Sequence, residues 1–439
     1  MKKFFTTIRN IFSIEELRQR IITTILLLVV FRLGSFVVLP GVDAAAMADV
    51  EQGGILGFLN TFLGGAFSRA SIFGLGIMPY ISASIVIQLL TFTVPYFQKM
   101  QRDGESGRKK INQITRVLTI GIVIGQGVPY VTGTIPNEAI LIDKGFFVAS
   151  AVLILTAGTM FCMWIGERIT EKGIGNGVSM LIMIGIISRF PGALGQEAVG
   201  KGLEGALIFI LEIIALFFVV MAVVMLTQAV RKVPVQYAKQ MVGNKVYGGQ
   251  RSYIPLKVNA SGVMPIIFAQ SLMFLPALLA QFMGEESETA SFIATNFGDF
   301  NSPLYNIVFG LLIVIFTFFY TAIIVQPNQI ADDMKRNGGF IPGIKPGKPT
   351  AEYLDQILTK ITLPGSIFLG VVAVLPAFAV GLDVGQEFAQ FYGGTSLLIM
   401  VGVILDTLQQ IESYLLMRHY EGMMQTGKMK GRSQNAAVA

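Results

Sequence analysis

The stretch ALIFILEIIALFFVVMAVVMLTQ occupies residues 206–228, and its only charged side chain is that of Glu212. A helix needs roughly 20 consecutive apolar residues to cross the hydrocarbon core of a bilayer, which is about 30 Å thick. A helix on the surface of a soluble domain would keep one polar face, and this stretch has none. The sequence therefore predicts a membrane-spanning helix at 206–228.

The composition of the whole chain extends this prediction. Charged residues are 14% of the 439, where a soluble domain averages about 25%. Hydrophobic residues are 53% of the chain and the mean hydropathy is +0.65, so a soluble fold would have too little polar surface. The single cysteine, Cys162, and the single histidine, His419, exclude a disulfide framework and multi-histidine sites. We expect an all-α polytopic membrane protein without a metal or a cofactor.

Nine further segments have enough length and apolar character to span, which predicts ten membrane helices in all. They are residues 21–39, 74–94, 117–135, 146–166, 176–190, 260–283, 304–325, 363–381 and 391–416. Some are poor partners for lipid, since 74–94 carries Pro79 and Gln88 and 260–283 carries Gln270. Proline is ordinary in a single membrane helix, but several such spans together favour an aqueous path lined by protein.

The placement of Lys and Arg predicts the orientation. Of the 33 basic residues, 28 lie in the N-terminal segment, in the loops after the even-numbered spans and in the C-terminal tail. Apart from Arg32 within the first span, the rest are Arg69, Lys144, Arg189 and Lys201. Basic residues accumulate on the cytoplasmic side of membrane proteins. We therefore expect both termini in the cytoplasm.

The sequence holds few groups that could carry chemistry. It contains no G-x-x-x-x-G-K-[ST] phosphate-binding loop, and the glycine-rich residues 173–177 are interpreted as a flexible turn between two spans. Away from the ends of the predicted spans, the charges interpreted as intramembrane are few, namely Arg32, Glu212 and Asp406, and the two acids could simply reach the interface. We expect no catalytic residue, so energy would come from a partner or from the membrane potential.

Two cytosolic loops are too long to be simple connectors. Residues 229–259 combine six basic side chains with three tyrosines and no acid, a pattern that suits a phosphate backbone or an acidic protein. Topology alone, or anionic lipid, would be the simpler explanation. Residues 326–362 expose a Gly/Pro-rich tip at 338–347. The predicted docking residues are Arg231, Lys232, Lys239, Lys245, Arg251 and Lys345.

Six stretches, in order and on the expected sides of the ten spans, resemble the SecY family of protein-conducting channel subunits. They are GIMPYISAS (76–84), GRKKINQ (107–113), MWIGERITEKGIGNG (163–177), PVQYAK (234–239), PLKVN (255–259) and GGTSLL (393–398). The resemblance extends from residue 18 to residue 421. One departure is Lys345, where the family often has Arg, since lysine keeps the charge but loses the bidentate fork.

The resemblance implies an architecture. Two five-helix halves, related as an inverted pseudo-repeat, would surround an hourglass pore. The expected divisions are an N-terminal half at 1–190, a hinge at 191–205, a C-terminal half at 206–416 and a cytosolic tail at 417–439. A short plug helix at 55–67 would close the outer side, with Phe58, Leu59, Asn60, Phe62 and Leu63 as its central residues.

The resemblance also implies roles for side chains within the spans. A constriction ring would comprise Ile77, Ile81, Val178, Ile182, Ile267 and Ile399. Without the resemblance each of these would be interpreted as ordinary helix packing. A lateral gate that opens to lipid would place Gln88 and Asn259 at its seam.

The implied partners are the SecE and SecG subunits, the SecA ATPase, the ribosome, signal sequences with nascent polypeptides, and membrane lipid. A passive polypeptide channel is the leading interpretation. A secondary transporter of a small solute is the alternative, since it also uses about ten broken helices. A membrane assembly scaffold would explain the long loops but not the poorly lipophilic spans.

Overall fold

The structure, a computed structural model, describes residues 12–48, 63–202, 205–237, 240–242, 245–247, 251–283, 288–297 and 301–425. The chain divides into two compact units. The first unit comprises residues 12–48, 63–188 and 403–425. The second comprises the described residues from Arg189 to Gly402.

The first unit is helical. Its elements are α1 (Glu15–Gly34), α2 (Ala44–Ala48), α3 (Met78–Thr93), α4 (Pro95–Arg102), α5 (Glu105–Thr134), α6 (Lys144–Lys172) and the first twelve residues of α7 (Gly177–Lys201). Helix α6 packs against α1 and α5, and α3 packs against α5. Leu155, Ile165 and Ile169 on α6 are fully buried, which places α6 in the core of this unit.

A sharp bend separates α3 from α4. The two helices meet at 101°, and Val94 between them is extended, with φ −105° and ψ 120°. The ring of Pro95 clashes with a helical conformation at the preceding residue, so α3 ends at Thr93 and a new helix begins at the proline. This proline therefore ends the predicted second span.

The second unit contains helices and strands. Its helices are α8 (Ala206–Gln228), α9 (Met264–Met283), α10 (Glu288–Phe297), α11 (Pro303–Ile324), α12 (Pro327–Arg336), α13 (Lys348–Gly381) and α14 (Gln386–Ala389). Its strands are β1 (Val230–Tyr237), β2 (Gln240–Val242), β3 (Lys245–Tyr247), β4 (Arg251–Lys257) and β5 (Gly339–Phe340). Helix α15 (Gly394–Gln425) begins in this unit and continues into the first. Helix α11 packs along α13 and against α9, where the rings of Phe268 and Tyr320 lie 4.7 Å apart.

Seven of the described helices are long and apolar enough to cross a bilayer. They are α5, α6, α7, α8, α11, α13 and α15, and the bent pair α3–α4 makes an eighth if it counts as one span. The polytopic helical class is confirmed, whereas the count of ten is not established. Helix α1 carries Arg18, Arg20 and Arg32, and this charge lowers its apolar character.

Helix α7 is longer than predicted. The sequence places the end of the fifth span at residue 190, but the helix continues through Pro191 to Lys201. Proline removes one backbone hydrogen bond, and membrane helices tolerate this loss. The helix ends at Gly202, whose φ of +59° lies in the left-handed region that glycine adopts without strain. Most of the predicted hinge at 191–205 is therefore helical.

Candidate functional site

The two long loops, 229–259 and 326–362, fold together into one module, here called the loop platform. It consists of β1, β4, β5, α12 and residues 348–361 of α13. Strand β1 is central: it pairs antiparallel with β4, where Val233 faces Ile254, and with β5, where Gln236 faces Phe340. The sequence predicted two separate docking loops and no strand. A pairing between segments about 100 residues apart leaves no local pattern from which to predict it.

A hydrophobic core holds the loop platform together. On β1, Val233 and Val235 are each 2% exposed, whereas the neighbouring Lys232 and Pro234 are exposed, as the two-residue period of a strand requires. The rest of the core comes from β4, from α12, from the segment after β5 and from α13. Its members are Leu256, Met334, Ile341, Leu354 and Leu358. The platform is therefore a folded surface rather than a pair of flexible loops.

The loop platform displays part of the predicted docking set. The side chains of Arg231, Lys232 and Lys345 are exposed. Lys239 lies outside the described residues, as do the side chains of Lys245 and Arg251, although the backbone of Lys245 pairs in strand β3. Docking itself stays a prediction for all six residues.

The tip that carries Lys345 is held in one conformation. The Thr350 hydroxyl donates a hydrogen bond of 2.9 Å to the carbonyl oxygen of Lys345. Ile344 packs against the platform core and Ile341 is 3% exposed. Gly343 has a φ of +86°, which allows the chain to turn between these two isoleucines. The Lys345 side chain is thus presented from a fixed backbone.

Four of the predicted ring residues lie in the first unit. Ile77, Ile81 and Ile182 are 3%, 6% and 4% exposed, and Val178 is half-buried. The amide of Ile81 donates to the carbonyl oxygen of Ile77 at 3.1 Å, so the predicted i,i+4 relation holds although Ile77 only caps helix α3. Ile77 and Val178 both approach Gly166 of α6.

The other two ring residues lie in the second unit. Ile267 on α9 is 8% exposed and Ile399 on α15 is 1% exposed. A closed ring of all six stays a prediction.

The predicted plug helix falls mostly outside the described residues. This applies to Phe58, Leu59, Asn60 and Phe62. The described end, residues 63–67, forms turns rather than a helix, because Gly64 and Gly65 adopt φ values of +62° and +84°. Leu63 is 5% exposed, so this end is buried within the first unit.

The two predicted gate residues have different surroundings. Gln88 on α3 is half-buried in the first unit. Asn259 in the second unit is 7% exposed, and its side-chain oxygen accepts a hydrogen bond of 3.2 Å from the Ser261 hydroxyl. Their meeting at a seam stays a prediction.

The glycine-rich turn at 173–177 is rigidly held, contrary to the expected flexible connection. The Thr24 hydroxyl accepts from the Ile174 amide at 3.0 Å, and the Gln410 side chain accepts from the Gly175 amide at 2.8 Å. The Thr170 hydroxyl accepts from the Gly177 amide at 2.9 Å. Because these amides already donate to side chains, they do not form a phosphate cradle.

A buried polar cluster in the second unit was not predicted. Lys201, at the end of α7, forms ion pairs of 3.0 Å with Glu212 of α8 and 3.6 Å with Glu197. Lys201 also donates to the carbonyl oxygen of Asp383 at 2.8 Å, and Glu197 accepts from the Gly385 amide at 3.0 Å. The Glu212 side chain is 8% exposed and is paired with Lys201, and its position relative to the membrane interface stays a prediction. In the sequence, the one indication of this cluster is the i,i+4 spacing of Glu197 and Lys201.

The fold and these candidate sites define a class of protein. It is a polytopic helical membrane protein with a folded platform built from two loops and a buried, glycine-rich segment after its first helix.

Comparisons with known proteins then identify the family. The SecY family model matches residues 71–408. A relative from Streptomyces scabiei named "Protein translocase subunit SecY" is 43% identical over 436 residues, which cover 95% of this chain and 99% of the relative. The chain belongs to the SecY family.

Two solved structures have a similar fold. One, described as the structure of a protein conducting channel, has a TM-score of 0.65 at 19% identity, with 90% of this chain and 92% of that chain covered. The other is Sec61 in a canine ribosome–channel complex, with a TM-score of 0.61 and the same identity and coverage.

Proposed function

We propose that this chain forms the channel of a protein translocase in the cytoplasmic membrane of a bacterium. Unfolded secretory polypeptides cross the membrane through it, and apolar segments leave it sideways into lipid. The observation that carries the proposal is the 43% identity, over nearly the full length of both chains, with a protein translocase subunit. The many apolar helices agree with a multi-pass location.

A constriction explains how such a channel stays sealed. The six aliphatic side chains of the proposed ring would line a narrow waist, where water is unstable and ions cannot shed their hydration. A polypeptide pushed through would displace these side chains, because they form no directed bonds with one another. Supporting this role, Ile77 and Val178 both reach Gly166, so the first unit brings residues from α3 and α7 to one place.

A plug and a lateral gate complete the proposed channel. The plug at 55–67 would close the outer side at rest, and the buried turns at 63–67 support a fixed attachment at its end. Gln88 and Asn259 would form a polar seam between the halves 1–190 and 206–416, with the hinge at 191–205. A polar pair in hydrocarbon contributes about 1 kcal/mol, which a sufficiently apolar segment would overcome.

The loop platform is the proposed docking surface for the SecA ATPase and the ribosome. Its folded core and the exposed Arg231, Lys232 and Lys345 support this role, since basic side chains on a rigid surface suit phosphate or carboxylate groups. Docking here requires both termini and the tail at 417–439 to be cytoplasmic. The small subunits SecE and SecG would complete the assembly.

The chain itself has no proposed enzymatic activity, and the motor or ribosome supplies the energy. The alternative of a small-solute secondary transporter has no support among the relatives, which are named as protein translocase subunits. Such transporters usually need an ionisable relay in the membrane. Here Glu212 is already paired with Lys201.

Reconstitution tests the proposal. The chain and its small partner subunits are placed in proteoliposomes, and SecA, ATP and a labelled secretory precursor are added. We expect ATP-dependent protection of the precursor from external protease, lost when this chain is omitted. If correctly inserted chain gave no protection while a known translocon did, the proposed function would be wrong.

A further inference from the structure

An open groove follows helix α12 of the loop platform. It consists of two adjoining cavities of about 560 Å³ and 530 Å³, which share the side chains of Gln326, Gln329 and Asp333 as lining. These three residues are spaced i, i+3 and i+7 from the N-cap of the helix onwards, so they form one stripe. Residues 254–257 of strand β4 line the larger cavity. The two cavities together are here called the α12 groove.

The charges that line the α12 groove are balanced. Asp332 and Asp333 are acidic, and Lys257 and Arg336 are basic. Both aspartates are exposed, and no ion pair among the described residues involves either of them. The predicted docking residues on the rest of the platform are all basic. A ligand with one cationic and one anionic group therefore suits this groove better than a purely anionic ligand does.

An apolar surface leads to the α12 groove from helix α11, which is long and apolar enough to cross a bilayer. Ile307, Leu311 and Ile315 lie on one face of α11 and are exposed. Seven residues further on, Ala322 lies on the same face, is exposed and lines the groove. Lipid tails are as apolar as such side chains and pack against them. The groove therefore begins where a lipid tail along α11 would end in its polar headgroup.

We propose that the α12 groove binds the headgroup of a phospholipid with a primary ammonium group, such as phosphatidylethanolamine. The ammonium group donates to the Asp333 carboxylate, and Lys257 pairs with the phosphate. The side-chain amides of Gln326 and Gln329 donate to phosphate and ester oxygens. The acyl chains lie along the exposed face of α11. The inference goes beyond the proposed function and holds whether or not the chain conducts polypeptides.

The two charges give the groove a chemical preference among lipids. Phosphatidylglycerol has the phosphate but no ammonium group, so Asp333 would face an anion without a cation between them. Phosphatidylcholine keeps the positive charge, but its quaternary nitrogen has no N–H to donate to the carboxylate. Charge-assisted hydrogen bonds are the stronger kind. We therefore expect the affinity to fall from phosphatidylethanolamine through phosphatidylcholine to phosphatidylglycerol.

Native mass spectrometry of the chain with its small partner subunits tests this order, with each lipid titrated in detergent. We expect phosphatidylethanolamine to bind roughly tenfold more tightly than phosphatidylglycerol, the factor that a hydrogen bond to a charged group contributes. Asp333→Asn should remove most of this difference. Lys257→Gln should weaken the binding of all three lipids, because each carries a phosphate. Soluble phosphoethanolamine, which lacks acyl chains, should displace the bound lipid only in large excess.

Asp355→Asn is the matched control. Asp355 is exposed on α13 of the same platform and lines neither cavity, so the preference should persist in this variant. Hydrogen exchange in nanodiscs locates the site. The amides of residues 254–257 and 326–333 should exchange more slowly in phosphatidylethanolamine than in phosphatidylglycerol, and Asp333→Asn should abolish the difference. Unchanged protection of β1 shows that each variant is folded.

Equal affinity of the unaltered chain for phosphatidylethanolamine and phosphatidylglycerol would overturn the proposal. A preference that survives Asp333→Asn, or that Asp355→Asn removes equally, would also overturn it, because the lipid would then bind elsewhere. Displacement by an equal concentration of phosphoethanolamine would show that the ligand is a free headgroup and not a lipid. Protection of the groove that appears only with the partner subunits, in either lipid, would make it a protein-docking surface instead.

Discussion

Gly177, the first residue of α7, lies so close to Gly166 of α6 that a Cβ atom on Gly177 would collide with the Gly166 carbonyl oxygen. The same glycine donates its amide to the Thr170 hydroxyl at 2.9 Å. Two helices therefore meet at their backbones beside Ile77 and Val178, which both approach Gly166. The position of two proposed ring residues depends on this contact.

We expect Gly177→Ala to destabilise the first unit by about 1–3 kcal/mol, because the added methyl group forces α6 and α7 apart. Thermal unfolding in detergent measures the change. Gly192→Ala is the control in the same helix, since nothing lies within 4 Å of a Cβ atom there. It should stabilise the protein by about 0.5–1 kcal/mol. Equal effects of the two substitutions would contradict the backbone contact.

Replacement of Ile81→Gly should raise the ion conductance of the resting channel, because it removes an aliphatic side chain from the proposed ring. Glycine also weakens the helix by about 0.5–1 kcal/mol, so Ile87→Gly serves as the control. Ile87 lies on the same helix and is 4% exposed against 6% for Ile81, but it is not a ring residue. Planar-bilayer recording compares them, and equal conductance in both variants would remove Ile81 from the ring.

Lys201→Met leaves the buried Glu212 carboxylate without its cation. Breaking a buried ion pair in this way costs about 3–5 kcal/mol, and we expect a loss of that size in thermal unfolding. Adding Glu212→Gln to Lys201→Met should recover part of it, because the unpaired charge disappears. The exposed pair of Arg168 and Glu171 provides the comparison, and Glu171→Gln should cost less than about 1 kcal/mol. Equal losses of stability from breaking the buried pair and the exposed pair would contradict this prediction.

The loop platform should be damaged by Leu354→Ala. Leu354 is fully buried in the platform core, and such truncations cost about 2–5 kcal/mol. Hydrogen exchange of the β1 and β4 amides should accelerate while amides of α5 in the first unit do not. Tyr353→Ala, at the neighbouring 37% exposed position, should leave the exchange of both strands nearly unchanged. Protection of β1 and β4 that survives Leu354→Ala would show that the core does not hold the strands.

We expect Lys345→Glu to reduce motor-driven precursor transport by about tenfold or more, because it reverses a charge at a docking surface. The Lys345 side chain is exposed and its backbone is tied by Thr350, so the fold should be unaffected. Lys348→Glu reverses a second exposed charge three residues away and should have a smaller effect. Protease protection of a labelled precursor measures both. Normal transport in Lys345→Glu would count against docking at the tip.

The membrane class was predictable from sequence because it depends on composition and on local runs. A stretch such as 206–228 is apolar on all sides whatever it packs against, and it forms helix α8 with the predicted bounds. The family was also predictable from the sequence, because it is recognised by short motifs that occur in a fixed order. Helix ends were harder to predict from the sequence. Pro95 ends a helix through the geometry of its ring, whereas Pro191 lies inside a helix.

The contacts between residues that are distant in the chain depend on the tertiary structure. The loop platform pairs Gln236 with Phe340, and no local pattern in either loop indicates that pairing. The sequence predicts a flexible turn at 173–177. In the structure the side chain of Gln410, 235 residues away, accepts a hydrogen bond from the Gly175 amide and holds this turn.

The same division applies to the charges inside the spans. The sequence places Arg32 and Glu212 in apolar helices, where an unpaired charge is costly. Only the fold supplied the carbonyl oxygen of Gly64 for one and the amine of Lys201 for the other. The need for a partner follows from the cost of an unpaired charge in an apolar environment, which a residue and its local sequence reveal. Which group pairs with the charge depends on which parts of the chain lie close to it, and the packing of the whole unit determines this.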